Sequence, residues 1–192
     1  MKWVVLAIVL VIVPYTYLTL HYRKPGKAFE PYHDMKDRAN TLRLLSAGFQ
    51  RIALEADRPA DPPKGTPRAG TLPARGGLPD ALDTSLVDKP LLPEEILTVN
   101  AATTAGAVMS YPIEFTCTQP DNQEQFRSAA LYVRGEQIYV VAAFERLSGG
   151  LLSRTRESLV RLTVPAGALK PGSYRVTLLG SRLSKAWDLQ VH

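Results

Sequence analysis

The stretch from Ala130 to Phe144, ALYVRGEQIYVVAAF, contains two apolar runs separated by the polar group 134–137. Runs of β-branched and aromatic residues on either side of a short segment with glycine are typical of a β-hairpin. The second run is apolar almost throughout, which indicates a strand that passes through the centre of a sheet. The stretch therefore predicts a hairpin within a β domain, with its turn at residues 134–137.

Other strands with a period of two lie on both sides of this hairpin. Apolar and polar residues alternate within residues 113–118, 160–164, 174–178 and 187–191. Such alternation predicts strands that bury one face. About seven strands of this kind in one domain are typical of two antiparallel sheets packed face to face. We therefore predict a mainly β fold whose C-terminal domain, residues 94–192, is an antiparallel β-sandwich.

The end of this domain resembles a known group of modules. The segment VPAGALKPGSYRVTLLG, residues 164–180, is followed by WDLQV at residues 187–191. Both are similar to the last strands of bacterial immunoglobulin-like and fibronectin-type-III-like modules, in which L-x-P-G-x-Y leads into the penultimate strand. The resemblance implies an immunoglobulin-like sandwich with a tyrosine corner, in which a tyrosine hydroxyl bonds to backbone upstream. The residues that match this motif are Leu169, Pro171, Gly172 and Tyr174.

The N-terminal segment has a different pattern. Residues 3–20 carry no charged side chain, and a helix with a rise of about 1.5 Å per residue would extend about 27 Å over them, close to the thickness of a thin bilayer. The run does not end in the small residues of a signal-peptide cleavage site. We therefore predict that residues 1–22 form an uncleaved transmembrane helix, a signal-anchor. The residues expected at the membrane interface are Trp3, Tyr15, Tyr17, Tyr22, Arg23, Lys24 and Lys27.

Two opposing signals bear on the side of the membrane. Residues 21–55 hold seven Lys and Arg against four Asp and Glu, and the positive-inside rule places such a flank in the cytoplasm. A folded β module on a long tether is instead typical of exported proteins. We predict a periplasmic, extracytoplasmic body, with a cytoplasmic body as the alternative.

Residues 23–55 form the predicted juxtamembrane segment. Apolar residues at helical spacing predict an amphipathic helix over residues 34–54. Its apolar face requires a partner, and the alternatives are the protein's own β domain, the membrane interface and another membrane subunit. The predicted interaction residues on this face are Met35, Leu42, Leu45, Phe49 and Ile52.

Residues 56–93 hold eight of the fifteen prolines and four of the thirteen glycines. Because such a composition does not sustain a helix or a sheet, it predicts a tether between the membrane-proximal part and the β domain. Five apolar side chains in its later half could pin that half onto a domain or a neighbouring protein. They are Leu72, Leu78, Leu82, Leu86 and Val87.

No zinc, redox, esterase or phosphate-loop motif occurs in the sequence. We therefore expect no enzyme activity, no catalytic residue, no cofactor and no metal. His21, His33 and Met35 supply imidazole and thioether groups that suit copper, which leaves a metal site as an alternative. The single cysteine, Cys117, lies on the apolar side of a predicted strand, which favours a buried thiol. Without a basic patch with interleaved aromatics in the β domain, nucleic acid is not an expected partner.

These features favour a non-enzymatic, single-pass, membrane-anchored accessory or assembly subunit of a larger membrane protein complex. Its expected partners are the lipid bilayer and other membrane protein subunits. One alternative is a free-standing envelope module that binds a carbohydrate, peptide or cell-wall ligand with its loops, of which the hydroxyl-rich segment at residues 101–110 is a candidate. The other is a metal-handling accessory protein of a respiratory oxidase.

Overall fold

The computed structural model describes residues 2–21, 31–58, 70–147, 149 and 152–192. The chain divides into two compact units, residues 1–37 and 38–192, with the boundary inside the second helix. The helices are α1 (Lys2–His21), α2 (Pro31–Ser46) and α3 (Asp80–Ser85).

Helix α1 belongs to the first unit and carries Pro14 in its interior. Many of its described apolar side chains are exposed, among them Trp3, Leu10 and Val11. Within the described residues, no helix combines the length and the apolar character that crossing a bilayer requires. This finding contradicts the predicted transmembrane helix, and with it the membrane and signal-anchor interpretation.

Helix α2 stops at Ser46, although helical spacing had predicted a helix as far as residue 54. Gly48 adopts a left-handed φ of 79°, which glycine favours. The Gly48 N–H donates to the Leu45 carbonyl at 3.0 Å, and the Phe49 N–H donates to the Leu44 carbonyl at 2.8 Å. This pair of hydrogen bonds is the Schellman motif, which satisfies the last carbonyls of a helix and ends it.

The chain then enters a sheet that closes on itself. The strands are β1 (Gln50–Asp57), β2 (Leu72–Arg75), β3 (Glu95–Ala101), β4 (Thr104–Ala105), β5 (Tyr111–Thr118), β6 (Glu124–Arg134), β7 (Gln137–Arg146), β8 (Glu157–Val164), β9 (Gly172–Leu178) and β10 (Leu183–Val191). Eight of them pair in the order β10-β3-β5-β8-β1-β6-β7-β9, and β9 also pairs with β10. The second unit is therefore built on a closed eight-stranded barrel, and the predicted two-sheet, immunoglobulin-like sandwich is wrong.

Two pairings convert what would be separate sheets into a ring. Strand β1 lies between β6 and β8 and is antiparallel to both, with Leu54 opposite Ala129 and Asp57 opposite Arg161. Strands β7 and β9 pair in parallel. A sandwich leaves edge strands with unpaired backbone groups, whereas these pairings join the edges. The first five residues of β1, residues 50–54, fall within the predicted helix, so the sequence interpretation lacked the strand that closes the sheet.

The barrel interior is filled by side chains from alternate strand positions, and Trp187 is among the largest that are fully buried. The strands predicted within residues 113–118, 160–164, 174–178 and 187–191 are confirmed as β5, β8, β9 and β10. Their buried interior residues are Ile113, Phe115, Cys117, Val160, Leu162, Val164, Val176, Leu178, Trp187, Leu189 and Val191.

A second apolar layer covers the outside of the predicted hairpin, which is confirmed as β6 and β7. On β7, Val140 faces the barrel interior, whereas Val141 packs in the outer layer. Both faces of β7 are thus covered, which explains its almost continuous apolar run. The buried residues of the outer layer are Leu44, Phe49, Leu82, Leu86, Ala130, Tyr132, Val141 and Leu179.

Much of the predicted tether belongs to the folded body. Strand β2 pairs with β10, and α3 follows it in the chain. Leu82 on α3 and Leu86 just after it are buried in the outer layer, where they pin this segment. Their burial explains how a segment rich in proline and glycine packs against the barrel. Residues 59–69 of the predicted tether lie outside the described residues.

One hydrogen-bonded chain crosses the barrel interior. The Trp187 indole N–H donates to the Tyr111 hydroxyl at 3.1 Å, and that hydroxyl donates to the Ala102 carbonyl at 2.6 Å. Burial raises the pKa of Tyr111 to about 12, and the Trp187 N–H opposes this shift. The hydroxyl therefore remains protonated and satisfies the buried Trp187 N–H and the partly buried Ala102 carbonyl.

We expect Tyr111→Phe to lower the free energy of unfolding by about 1–3 kcal/mol, because it leaves a buried donor and a carbonyl without their partner. Urea denaturation followed by circular dichroism measures this loss. Tyr174→Phe is the matched control, since its hydroxyl donates to the exposed Lys170 carbonyl, which water can reach. Equal losses in the two variants would contradict the role assigned to the buried chain.

Candidate functional site

The described part of α2 has two unlike sides. Leu44 is 1% exposed and packs in the outer layer, whereas Leu42 and Leu45 are 68% and 60% exposed. Ala39 and Ser46, which are also exposed, fall on the same side of the helix as the two leucines. We call the side formed by Ala39, Leu42, Leu45 and Ser46 the outer face of α2. It presents large apolar side chains next to small ones, a pattern that suits close approach of another surface.

The five predicted interaction residues do not share one face. Leu42 and Leu45 lie on the outer face of α2, and Met35 is exposed on the same helix. Phe49 is buried after the end of the helix, with the Arg134 guanidinium 5.4 Å from its ring centroid. Ile52 lies on β1 and packs against the barrel interior. Phe49 and Ile52 therefore do not belong to the exposed helix face, because the helix ends at Ser46 and both residues follow it.

Contacts on the opposite side hold the C-terminal half of α2 in place. The Asn40 side-chain oxygen accepts a hydrogen bond from the Val87 N–H at 3.3 Å. Leu44 and Ala47 pack in the outer layer. The position and the end of this half-helix are thus fixed by the protein itself, and the outer face is held in one orientation on the barrel.

The predicted membrane-interface residues are only partly described. Trp3, Tyr15 and Tyr17 are exposed on α1, and the Tyr17 ring stacks on His21 with centroids 5.8 Å apart. The other four predicted residues, Tyr22, Arg23, Lys24 and Lys27, lie outside the described residues.

The copper alternative rested on His21, His33 and Met35. The structure does not describe the His33 side chain, so it does not show these three side chains together. In the part of the chain that the structure describes, no three His, Cys, Asp or Glu side chains are grouped as metal ligands would be.

The residues of the predicted tyrosine corner lie at the start of β9. The Tyr174 hydroxyl donates to the Lys170 carbonyl at 2.9 Å, four residues upstream. Leu169 is buried against the barrel interior, and Pro171 is exposed. Gly172 has a φ of 155°, and a Cβ at this position would meet the Tyr174 ring at 3.8 Å. This arrangement fixes the direction in which β9 begins.

An open groove of about 540 Å³ lies beside this corner. The parallel pairing of β7 with β9 places Gln137 opposite Arg175, and the pairing of β9 with β10 places Arg175 opposite Asp188. The lining residues are Thr103, Thr104, Glu136, Gln137, Ser173, Tyr174, Arg175, Asp188, Leu189 and Gln190. We call this feature the β9–β10 groove.

The β9–β10 groove offers mainly neutral hydrogen-bonding groups. Arg175 and Asp188 form an ion pair at 2.8 Å, so their charges offset each other. The Ser173 hydroxyl donates to the Gln190 side-chain oxygen. Amides and hydroxyls both donate and accept hydrogen bonds, which suits a neutral ligand with many hydroxyl groups. Among these residues, the sequence interpretation had singled out the segment that contains Thr103 and Thr104, because it is rich in hydroxyls.

Cys117 lies in the barrel interior and is fully buried. Burial raises the pKa of its thiol to about 12, and the nearby Arg58 charge opposes this rise only in part. The Gln119 side-chain amide lies 3.9 Å from the Cys117 sulfur as a donor. Because the thiolate is the reactive form, this cysteine is protected from thiol reagents both by its burial and by its protonation.

We expect Cys117 to resist a thiol reagent at pH 8 in the folded protein and to react fully once the protein is unfolded in denaturant. The thiolate fraction falls with increasing pKa, and the barrel wall excludes the reagent. Absorbance of the released aryl thiolate measures the reaction. Rapid labelling without denaturant would contradict the buried position.

No family model, curated protein or solved structure matches this chain. The resemblance of the last third to immunoglobulin-like modules stays a prediction from its motif. The same holds for the predicted partners, which are the bilayer and other membrane subunits, and for the predicted extracytoplasmic location.

Proposed function

We propose that the protein is a non-enzymatic accessory subunit that docks on a partner protein of a larger complex through the outer face of α2. The observation that carries this proposal is the exposure of Leu42 and Leu45 on a half-helix whose opposite side is fixed to the barrel. Two leucines held side by side in water are costly unless a partner covers them.

The energetics of such docking favour an apolar partner surface. Burying a leucine side chain contributes about 1.5–3 kcal/mol, so the pair contributes about 3–6 kcal/mol. Ala39 and Ser46 are small, which lets the backbone of a partner helix approach α2 closely. Arg43 lies between the two leucines in sequence and is exposed, so an acidic rim on the partner would complement this surface.

The contacts that hold α2 in place within the second unit also favour docking of a partner. The Schellman motif, the Asn40 to Val87 hydrogen bond and the burial of Leu44 are formed within the second unit. A surface that is already ordered loses less conformational entropy on binding. The barrel thus serves as a rigid platform that presents the outer face of α2.

Point substitutions test this proposal better than a deletion, because removing the chain as far as residue 55 would take most of β1 out of the barrel. The test variant is Leu42→Asp with Leu45→Asp. The matched control is Leu152→Asp, since Leu152 is 66% exposed and lies in a loop. Both variants place a charge at exposed leucine positions and should keep the circular dichroism spectrum and melting temperature of the unmodified protein.

We expect the double variant to weaken association with the partner by more than about 100-fold, because about 3 kcal/mol or more of apolar burial is lost. The full chain is purified from its native cells after chemical crosslinking, and the assembly is sized on native gels with its subunits identified by mass spectrometry. Leu152→Asp should leave the assembly intact. An assembly that survives the double variant, or one that contains only copies of this chain, would refute the proposal.

The β9–β10 groove favours a second candidate function, which is binding of a neutral carbohydrate. Its amides and hydroxyls can both donate and accept, and the pairing of Arg175 with Asp188 leaves few uncompensated charges. The groove is open, so a chain of sugar units could extend beyond it. This candidate corresponds to the ligand-binding module predicted as an alternative from the sequence.

For this candidate we expect Gln137→Ala with Gln190→Ala to weaken glycan binding by about tenfold, because about two hydrogen bonds of roughly 0.5–1.5 kcal/mol each are lost. A glycan array probed with the labelled full chain identifies a ligand, and calorimetry measures its affinity. Gln50→Ala on β1 is the control for removing an exposed amide. If no glycan on the array binds the unmodified protein, the groove does not have this function.

A further inference from the structure

The loop between β5 and β6, together with the first residue of β6, contains three oxygen atoms that are buried without a hydrogen-bond partner. They are Gln119 Oε1, Asn122 Oδ1 and Glu124 Oε2. Gln119 and Glu124 are only 1% and 4% exposed. A buried acceptor that lacks a donor costs about 1–3 kcal/mol, so three of them within residues 119–124 require a physical explanation.

The backbone of this loop is held in place by hydrogen bonds to neighbouring segments and within the loop. The Ser153 N–H donates to the Asn122 carbonyl at 2.6 Å, and the Leu147 N–H donates to the Gln123 carbonyl at 2.7 Å. The Gln123 N–H donates to Asp121 Oδ1 at 2.8 Å.

Hydrogen bonds at the start of the loop hold the backbone of Gln119. Its backbone N–H donates to the Arg156 carbonyl at 2.9 Å, and the Arg156 Nε–H donates to the Gln119 carbonyl at 3.0 Å. Its side-chain nitrogen is directed at the Cys117 sulfur. The Gln119 amide oxygen is thereby left without a donor.

The segment also carries two carboxylates, Glu124 and Asp121, and the Glu124 side chain is 4% exposed. Arg146 lies opposite Glu124 in the pairing of β6 with β7, and Glu124 Oε2 nevertheless has no hydrogen-bond partner. A cation would neutralise a buried carboxylate and supply the partner that a buried oxygen lacks.

We propose that residues 119–124 bind a hard divalent cation of the calcium class, with Glu124, Asn122 and Gln119 as side-chain ligands and Asp121 as the second negative charge. Carboxylate and amide oxygens are the ligands that Ca²⁺ accepts in irregular geometry, whereas Mg²⁺ demands a near-ideal octahedron and retains several waters. The alternation of apolar and polar residues gives no sign of this site, because Gln119, Asp121 and Asn122 lie outside the strands and Glu124 is the first residue of β6.

The experiment uses the full chain, freed of metal with a chelator and then titrated with CaCl₂ or MgCl₂ up to millimolar concentration, the range of extracellular Ca²⁺ modules. Calorimetry gives the stoichiometry, and the melting temperature reports stabilisation of the folded state. Glu124→Gln and Asn122→Ala are the test variants. Glu136→Gln is the matched control, since it makes the same carboxylate-to-amide change at the turn between β6 and β7, the other end of β6.

We expect one Ca²⁺ per chain, an increase in melting temperature with Ca²⁺ that exceeds the increase with Mg²⁺, and at least about tenfold weaker binding in each test variant. Glu136→Gln should bind as the unmodified protein does. Absence of binding at millimolar Ca²⁺ would overturn the proposal, because a proton on Glu124 or a water molecule would then satisfy these oxygens. Binding that persists unchanged in Glu124→Gln would also overturn it, by placing the cation elsewhere.

Discussion

The pairing of β1 with both β6 and β8 is the constraint on which the rest of the structure depends. Strands β3, β5 and β8 form one run of the ring, and β6, β7, β9 and β10 form the other. Strand β1 joins them, with register pairs from Gln50 to Leu54 on β6 and from Glu55 to Asp57 on β8. Because a ring has no free edge, each strand of the ring finds a hydrogen-bonding partner on both of its sides. The interior around Trp187 is enclosed as a result.

The position of β1 also decides how the N-terminal helical segment is presented. A short turn at Gly48 connects α2 to β1, and β1 lies next to β6. The end of α2 therefore reaches only the outside of β6 and β7, where Leu44 and Phe49 are buried with Tyr132 and Val141. With this side of the helix committed to the barrel, Leu42 and Leu45 can only face outward. The proposed docking surface is thus a consequence of barrel closure.

The local pattern of apolar and polar residues predicted the strands that bury one face, together with the central hairpin. It did so because this pattern directly reflects which side chains are buried. It missed β1 because Met35, Leu42 and Phe49 recur every seven residues, and this helical spacing masked the alternation of Ile52, Leu54 and Ala56. Gly48 was the available signal for a helix end. The choice between sandwich and barrel depends on which edge strands pair, and alternation carries no information on that pairing.

The candidate sites were still harder to predict. Gln137 and Arg175 meet only through the parallel pairing of β7 with β9, which joins residues distant in sequence. The exposed leucines of α2 were found because helical spacing is a local property. The buried oxygens of residues 119–124 depend on the packing of three chain segments, those that carry Asn122, Leu147 and Ser153.

The topology of β1 also has a consequence for biosynthesis. This strand leaves the ribosome before β6 and β8, the two strands that must flank it, and β10 emerges last of all. Until then β1 is a strand with two unpaired edges, and the apolar side chains that will enclose Trp187 have no common interior. Pairings so distant in sequence fold slowly, and open edges of this kind favour aggregation. The nascent chain is therefore expected to depend on chaperones until β10 has emerged.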